Sequence, residues 1–149
     1  MTPFRFRLQK VLEWRRAQLD LEQANYRRHA AILAGLDRQV AELQAAGSSA
    51  ERLVRSWNPV AGGELDALGS FRVHVKQRET EMAVPRAEAR KRLAAQHAVL
   101  LEARRRLRLL ERLQERRLAE WRAALDKEID ETAAEAYLAN WKGPPPARL

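Results

Sequence analysis

A run of arginines on a predicted helix is the feature of this sequence with the clearest capacity for binding chemistry. The stretch LLEARRRLRLLERLQERRLAEW, residues 100–121, holds seven arginines, four glutamates and seven leucines, and it has no glycine, proline or β-branched residue. Four of these arginines lie four residues apart and make a stripe that winds slowly around a helix, here called the basic ridge: Arg104, Arg108, Arg112 and Arg116. Guanidinium groups bind carboxylates and phosphates, so the basic ridge predicts an acidic partner. A solvated helix surface that uses arginine as a good helix former is the competing interpretation.

The distribution of charge along the chain favours the same kind of partner. The net charge is +8, from 28 basic and 20 acidic residues. Residues 86–122 contain 12 basic and 5 acidic side chains, whereas residues 126–149 contain 3 basic and 5 acidic ones. Glu120 lies four residues after Arg116 and is expected to offset part of the positive charge. A net positive face remains, which indicates an acidic binding surface on the partner.

Groups that could carry out catalysis or hold a metal are sparse. His29, His74 and His97 are scattered and lack the spacing of a helical zinc site. No serine lies in a nucleophile elbow, and the segment GGELDALG lacks the Lys-Ser/Thr ending of a phosphate-binding loop. The sequence therefore predicts no enzyme activity, no metal, no cofactor and no small-molecule ligand.

Heptad spacing predicts the first long helix. Five apolar residues follow one another at intervals of seven, which is typical of a coiled-coil seam: Leu12, Leu19, Tyr26, Leu33 and Val40. We expect this helix over about residues 4–46, with a stop at Gly47. Ser48 and Glu51 have the spacing of a capping box, which predicts a short helix over 48–57. The segment NPVAGG, residues 58–63, is rich in helix breakers and is expected to reverse the chain.

A second helical arm is expected over residues 64–141, with a kink near Pro85. Leu93, Leu100 and Leu107 continue a heptad, which then changes to steps of eleven toward Ile129. Residues 143–149 are expected to form a disordered tail. The predicted fold is all-α, a single long antiparallel two-helix coiled-coil hairpin over residues 1–142.

A few large apolar residues on the first helix lie away from its seam. Val11, Trp14 and Leu21 share one helical face. They either pack against the end of the second helix near Tyr137 or Trp141, or they form a docking patch for a partner.

The sequence also predicts a cytoplasmic protein. It has no cysteine, its first residues do not resemble a signal peptide, and no apolar run approaches the roughly 20 residues that cross a bilayer.

Several segments together resemble the FliJ family of flagellar type III export proteins. The segment FRFRLQKVLEWRR at 4–16 is similar to the aromatic and basic entry of that family. The arginine-rich stretch at 100–121 and DKEIDETAAEAY at 126–137 are similar to its late signature. The likeness covers residues 4–45 and 98–137 and does not extend to 47–90.

The resemblance implies a stalk-like coiled coil that sits in the ring of the hexameric export ATPase FliI and promotes its assembly and activity. It also implies contact with the export-gate membrane protein FlhA, escort of export chaperones, and a location at the cytoplasmic face of the inner membrane. By matching motif, the residues implied at the ATPase are Phe6, Leu8, Leu12, Arg15, Arg16, Arg104, Arg105, Arg112, Arg116 and Arg117.

Other functions compete with this one. A leucine-zipper DNA binder would place a basic segment before leucines, but the segment here lacks asparagine and carries Glu88 and Glu102, so we expect no nucleic-acid partner. A generic coiled-coil scaffold or homo-oligomer of another family would use the same seam. A basic helix lying on a membrane surface is a further alternative.

Overall fold

The computed structural model of the chain describes residues 2–57, 61–144 and 147. Two helices, α1 (Gln9–Arg55) and α2 (Gly62–Asn140), contain nearly all of these residues, and the described part has no β-strand. The predicted all-α fold is confirmed. Neither helix has a stretch that is long and apolar enough to cross a membrane, within the residues described.

The chain divides into two compact units. The terminal unit consists of Met1–Arg16 and Arg105–Leu149, and the central unit consists of Ala17–Arg104. Each unit contains one part of α1 and one part of α2.

In the central unit the two helices run antiparallel. Residues early in α1 contact residues late in this part of α2. Near the turn, residues late in α1 contact residues early in α2. The Nε atom of Arg72 lies 2.7 Å from Oε1 of Glu51, and Nη2 of Arg86 lies 2.8 Å from Oδ1 of Asp37. Farther from the turn, Nε2 of Gln96 donates to the backbone oxygen of Glu22 at 3.3 Å. These pairs confirm the predicted hairpin.

The core of the central unit is a single apolar seam. Six side chains are buried along it: Val40, Val54, Val75, Met82, Ala89 and Leu100. Three of those from α2 lie seven residues apart, at 75, 82 and 89, so a heptad also runs through the part of the chain that resembles no family segment. Burial of this seam supplies the main driving force for pairing the helices.

The predicted helix stop at Gly47 is wrong, because α1 continues without interruption to Arg55. Gly47 occupies the heptad position between Val40 and Val54, and burial of Val54 favours continuing the helix. Glu51 forms an ion pair with Arg72 across the hairpin instead of starting a separate short helix. Burial of the seam therefore stabilises a continuous helix more than Gly47 and the capping-box spacing favour a stop.

Gly47→Ala is expected to stabilise the protein by about 0.5–1 kcal/mol. A Cβ atom at this position would lie 3.8 Å from Cγ1 of Val75, an ordinary van der Waals contact, and alanine favours the helix over glycine. Urea unfolding followed by circular dichroism measures the change. Gly35→Ala is the matched control, since a Cβ there has no atom within 4 Å and gains helix propensity alone. A loss of stability at Gly47 only would instead support a left-handed stop.

The second helix begins inside the segment predicted to reverse the chain. The backbone N–H of Ala61 donates to Oε2 of Glu64 at 3.1 Å, a helix-capping interaction that allows Gly62 and Gly63 to be helical. Residues 58–60 of the predicted reversal lie outside the described part of the chain.

Pro85 lies inside α2, on its exposed side, with Met82 and Ala89 buried on the seam before and after it. The helix does not restart there, and the kink expected near Pro85 stays a prediction. Gly143 has a positive φ of 52° beyond the end of α2, where glycine is the favoured residue. Of the tail predicted over 143–149, residues 145, 146, 148 and 149 are outside the described residues.

Candidate partner-binding surface

The first residues of the chain form a non-helical segment that lies against α2 in the terminal unit. Nε1 of Trp121 donates to the backbone oxygen of Thr2 at 3.2 Å. The rings of Phe4 and Trp121 have centroids 6.0 Å apart and planes inclined by 54°. The α1 helix starts only at Gln9, later than the predicted residue 4, because residues 4–8 pack on α2 instead of extending the helix.

A cleft of about 1070 Å³ lies between this segment and α2. Five large apolar side chains line it: Phe4, Phe6, Leu8, Leu113 and Trp121. Arg5, Arg7 and Arg117 also line this cleft. An apolar lining combined with guanidinium groups suits a peptide that carries both apolar and acidic side chains.

Behind this cleft the helices of the terminal unit pair in antiparallel orientation. Nε2 of Gln114 donates to Oε1 of Gln9 at 2.9 Å, and Nη2 of Arg16 lies 3.8 Å from Oε1 of Glu111. Leu12 and Leu107 are buried between the helices.

Leu12 does not belong to the partner-binding surface. Its side chain is 0% exposed, so it holds α1 against α2 and has no area available to a partner. The resemblance placed it among the ATPase-binding residues, but its heptad position already predicted a seam residue. Phe6 and Leu8 differ from Leu12, because both line the cleft together with Arg117.

Three arginines of the basic ridge lie in the terminal unit. At about 100° per residue, Arg108, Arg112 and Arg116 lie roughly 100°, 140° and 180° around α2 from Leu107, so they turn progressively away from the seam. All three arginines are exposed, and none forms an ion pair in the described part of the chain. The pairing expected between Arg116 and Glu120 is absent. Glu120 instead accepts from Nη1 of Arg117 at 3.1 Å, so the ridge carries more uncompensated charge than the sequence indicated.

The other predicted arginines have separate surroundings. Arg104 is exposed and belongs to the central unit, whereas Arg105 is exposed in the terminal unit. Arg15 places its guanidinium 4.7 Å from the centre of the Trp14 ring, a cation–π contact. Arg16 contacts Glu111 at the edge of the seam.

The off-seam patch on α1 remains open to solvent. Trp14 is 52% exposed, and Val11 in the same unit and Leu21 in the central unit are also exposed. The first interpretation predicts packing near Tyr137 or Trp141, but both of these side chains are largely exposed. The structure therefore does not show that packing, and the docking interpretation stays a prediction.

In the part of the chain that the structure describes, the titratable groups show no arrangement that suggests a metal site. In the residues described, no group of three or more His, Cys, Asp or Glu side chains is placed to hold a metal ion. His97 packs beside Tyr26 in the central unit, with ring centroids 5.7 Å apart. His29 lies near Pro85 on the same unit.

Three residues that line the cleft were not predicted as site residues from the sequence. Leu113 and Trp121 line it from α2, and Phe4 lines it from the N-terminal segment. A signal was present in FRFR at residues 4–7. Its alternation of aromatic and basic residues is the period-two pattern of an extended segment, which places Phe4 and Phe6 on the same side.

Trp121→Ala is expected to release the N-terminal segment from α2. Loss of the ring contact with Phe4 and of the hydrogen bond to Thr2 leaves only weak local contacts to hold that segment. Trypsin should then cleave after Arg5 and Arg7 several-fold faster, as followed by mass spectrometry. Trp141→Ala, which removes a largely exposed ring, is the matched control and should leave the cleavage rate unchanged. Equal rates in both variants would mean that the segment is not held by Trp121.

Comparisons with models of protein families, with curated protein sequences and with solved structures found no match to the chain.

Proposed function

We propose that this protein is a non-enzymatic coiled-coil component of a flagellar type III protein export apparatus. In this proposal its terminal unit binds the hexameric export ATPase, promotes its assembly and activity, and so links the ATPase to the export-gate membrane protein. Escort of export chaperones and a position at the cytoplasmic face of the inner membrane belong to the same proposal. The observation that carries it is the unpaired, outward-facing ridge of Arg108, Arg112 and Arg116 in the unit that also contains the apolar and cationic cleft.

The arrangement of the FliJ-like segments supports this function. The segment at 4–16 and most of the arginine-rich stretch, from residue 105 onward, belong to one compact unit. Antiparallel pairing through Gln9 and Gln114 brings the two segments together although they are far apart in sequence. A partner could therefore contact both segments at once, as the resemblance implies for the ATPase.

The chemistry of this surface also fits acidic loops lining a protein ring. The ridge offers at least three exposed guanidinium groups without carboxylate partners, and the cleft offers apolar area beside further cations. Charges of this kind steer a partner into place and give salt-dependent association.

The proposal is tested by titrating the purified chain against the export ATPase encoded in the same genome, with binding followed by fluorescence anisotropy at several salt concentrations. We expect saturable binding that weakens as salt rises, by a chain that sedimentation equilibrium shows to be monomeric. Absence of binding by a folded chain would overturn the proposal. A stable homo-oligomer without affinity for the ATPase would favour a coiled-coil scaffold, and steeply salt-dependent duplex binding would favour a DNA-binding protein.

A further inference from the structure

Among the residues that the structure describes, no helix packs against the final part of α2. The N-terminal segment reaches Trp121 through the backbone oxygen of Thr2. Leu125 is half-buried, and from residue 126 to residue 144 every side chain is exposed. Yet α2 continues to Asn140. We call residues 125–140 the overhang.

The overhang presents an apolar stripe of the kind that is normally buried between paired helices. Its members line a shallow groove of about 440 Å³ and include Leu125, Ile129, Thr132, Ala133 and Ala136. Residues 125, 129, 132 and 136 follow one another at steps of four, three and four, and Ala133 lies beside them, so the five share one helical face. At about 100° per residue, this face continues the one that carries Leu107, which is buried, and Leu118. The seam of the hairpin therefore extends along α2 past the last contact with the N-terminal segment.

Acidic residues flank this stripe. The overhang contains five carboxylates and one lysine, whereas the arginine-rich stretch before it is strongly positive. Glu128 lies on one side of the stripe, and Asp126 and Asp130 lie on the other. In paired helices, the charges that flank an apolar seam select the partner.

These charges decide between two occupants of the stripe. A second copy of the overhang would bring carboxylates opposite carboxylates, which destabilises the pairing. A helix with lysine or arginine on both sides of an apolar stripe would instead place opposite charges together along both edges. The overhang thus favours a basic partner, the opposite of what the basic ridge favours.

We propose that the overhang is a docking surface for a basic amphipathic helix of a partner protein. The apolar residues of that helix cover Leu125, Ile129 and Ala136 and complete the seam, and its cations lie beside Glu128 and Asp130. About four turns of helix, or roughly 16 residues, match the length of the surface. This is helix-in-groove recognition, and it is independent of the acidic partner proposed for the basic ridge.

Two synthetic helical peptides of the overhang's length test this surface on the full chain. They share leucines at the seam positions and differ only at the flanking positions, which are lysine in one peptide and glutamate in the other. Titration of each labelled peptide with the chain at near-physiological salt should give at least about tenfold tighter binding of the lysine peptide. Because no ATPase is present, the result stands apart from the test of the proposed function.

Substitutions in the overhang test whether the lysine peptide binds there. Ile129→Ser should weaken binding of the lysine peptide at least about tenfold. Leu109→Ser is the matched control, because Leu109 is 56% exposed and Ile129 is 55% exposed. Leu109 lies outside the overhang, so its substitution should leave the binding unchanged. Glu128→Lys combined with Asp130→Lys should shift the preference to the glutamate peptide. Asp20→Lys combined with Glu42→Lys, an equal charge change in the central unit, should not. Circular dichroism checks that each variant is folded.

Three outcomes would overturn the proposal. The first is equal affinity for the two peptides, which would show that flanking charge does not select the partner. The second is failure of the lysine peptide to bind the folded chain. The third is self-association of the chain that Ile129→Ser abolishes, which would identify a second copy as the occupant.

Discussion

Leu12→Ala is expected to lower the free energy of unfolding by about 3 kcal/mol, the largest effect on stability that we predict. Leu12 is 0% exposed and lies between α1 and α2 in the terminal unit. Truncation removes buried methyl groups and leaves a cavity, because long helices held by neighbouring seam residues relax only partly into the space. Urea unfolding followed by circular dichroism measures the loss.

Leu21→Ala is the matched control for this variant. Leu21 is 53% exposed on the same helix, so the substitution should cost less than about 0.5 kcal/mol. The loss of stability in Leu12→Ala therefore distinguishes a role of Leu12 in the helix seam from a role in contacting the ATPase. Unchanged stability in Leu12→Ala together with lost ATPase binding would return Leu12 to the partner-binding residues implied by the resemblance.

Arg112→Glu combined with Arg116→Glu is expected to weaken binding of the export ATPase at least about tenfold while leaving helix content unchanged. The double substitution reverses two positive charges on the outward face, and neither arginine has an ion-pair partner in the described residues. Folding therefore loses no specific interaction, whereas a partner with acidic loops meets like charge. The same anisotropy titration measures the affinity, and circular dichroism measures the helix content.

Arg27→Glu combined with Arg28→Glu is the control for net charge. These two arginines are exposed on α1 in the central unit, so the variant has the same total charge at a different place. We expect it to bind nearly as tightly as the original chain. Equal losses in both double variants would mean that overall charge alone governs binding, and unchanged binding in Arg112→Glu with Arg116→Glu would remove the basic ridge from the interface.

The two-helix hairpin could be predicted from the sequence because heptad spacing reports the seam directly. Leu12 and Val40 were assigned to that seam from their spacing, and both are buried. The stop at Gly47 was wrong because glycine and the capping-box spacing are local signals of about 1 kcal/mol each. Val54, seven residues beyond Gly47, continues the seam, and its burial against α2 outweighs them.

The partner-binding surface could be predicted only in part. The basic ridge is a periodic feature of one helix, so a stripe of arginines along that helix could be predicted from their spacing. The cleft depends on contacts such as Phe4 with Trp121, which join residues distant in sequence and leave no periodic trace. Pairing of Glu120 with Arg117 instead of Arg116 depends on side-chain geometry that helical spacing alone does not fix.

The terminal unit combines two surfaces of opposite character. The basic ridge lies on the arginine-rich part of α2, and the acidic overhang follows it along the same helix. Under the two proposals, acidic ring loops and a basic partner helix could be bound by one unit at the same time. Variants at Arg112 and at Ile129 should therefore affect different partners.

ATP hydrolysis by the export ATPase, titrated with this protein at near-physiological salt, tests the central proposal most directly. We predict that hydrolysis or hexamer formation increases at low stoichiometry, and that the variant with Arg112→Glu and Arg116→Glu requires a higher concentration for the same increase. Unchanged hydrolysis and unchanged assembly, with the chain shown to be folded and the ATPase shown to be active, would contradict the proposal.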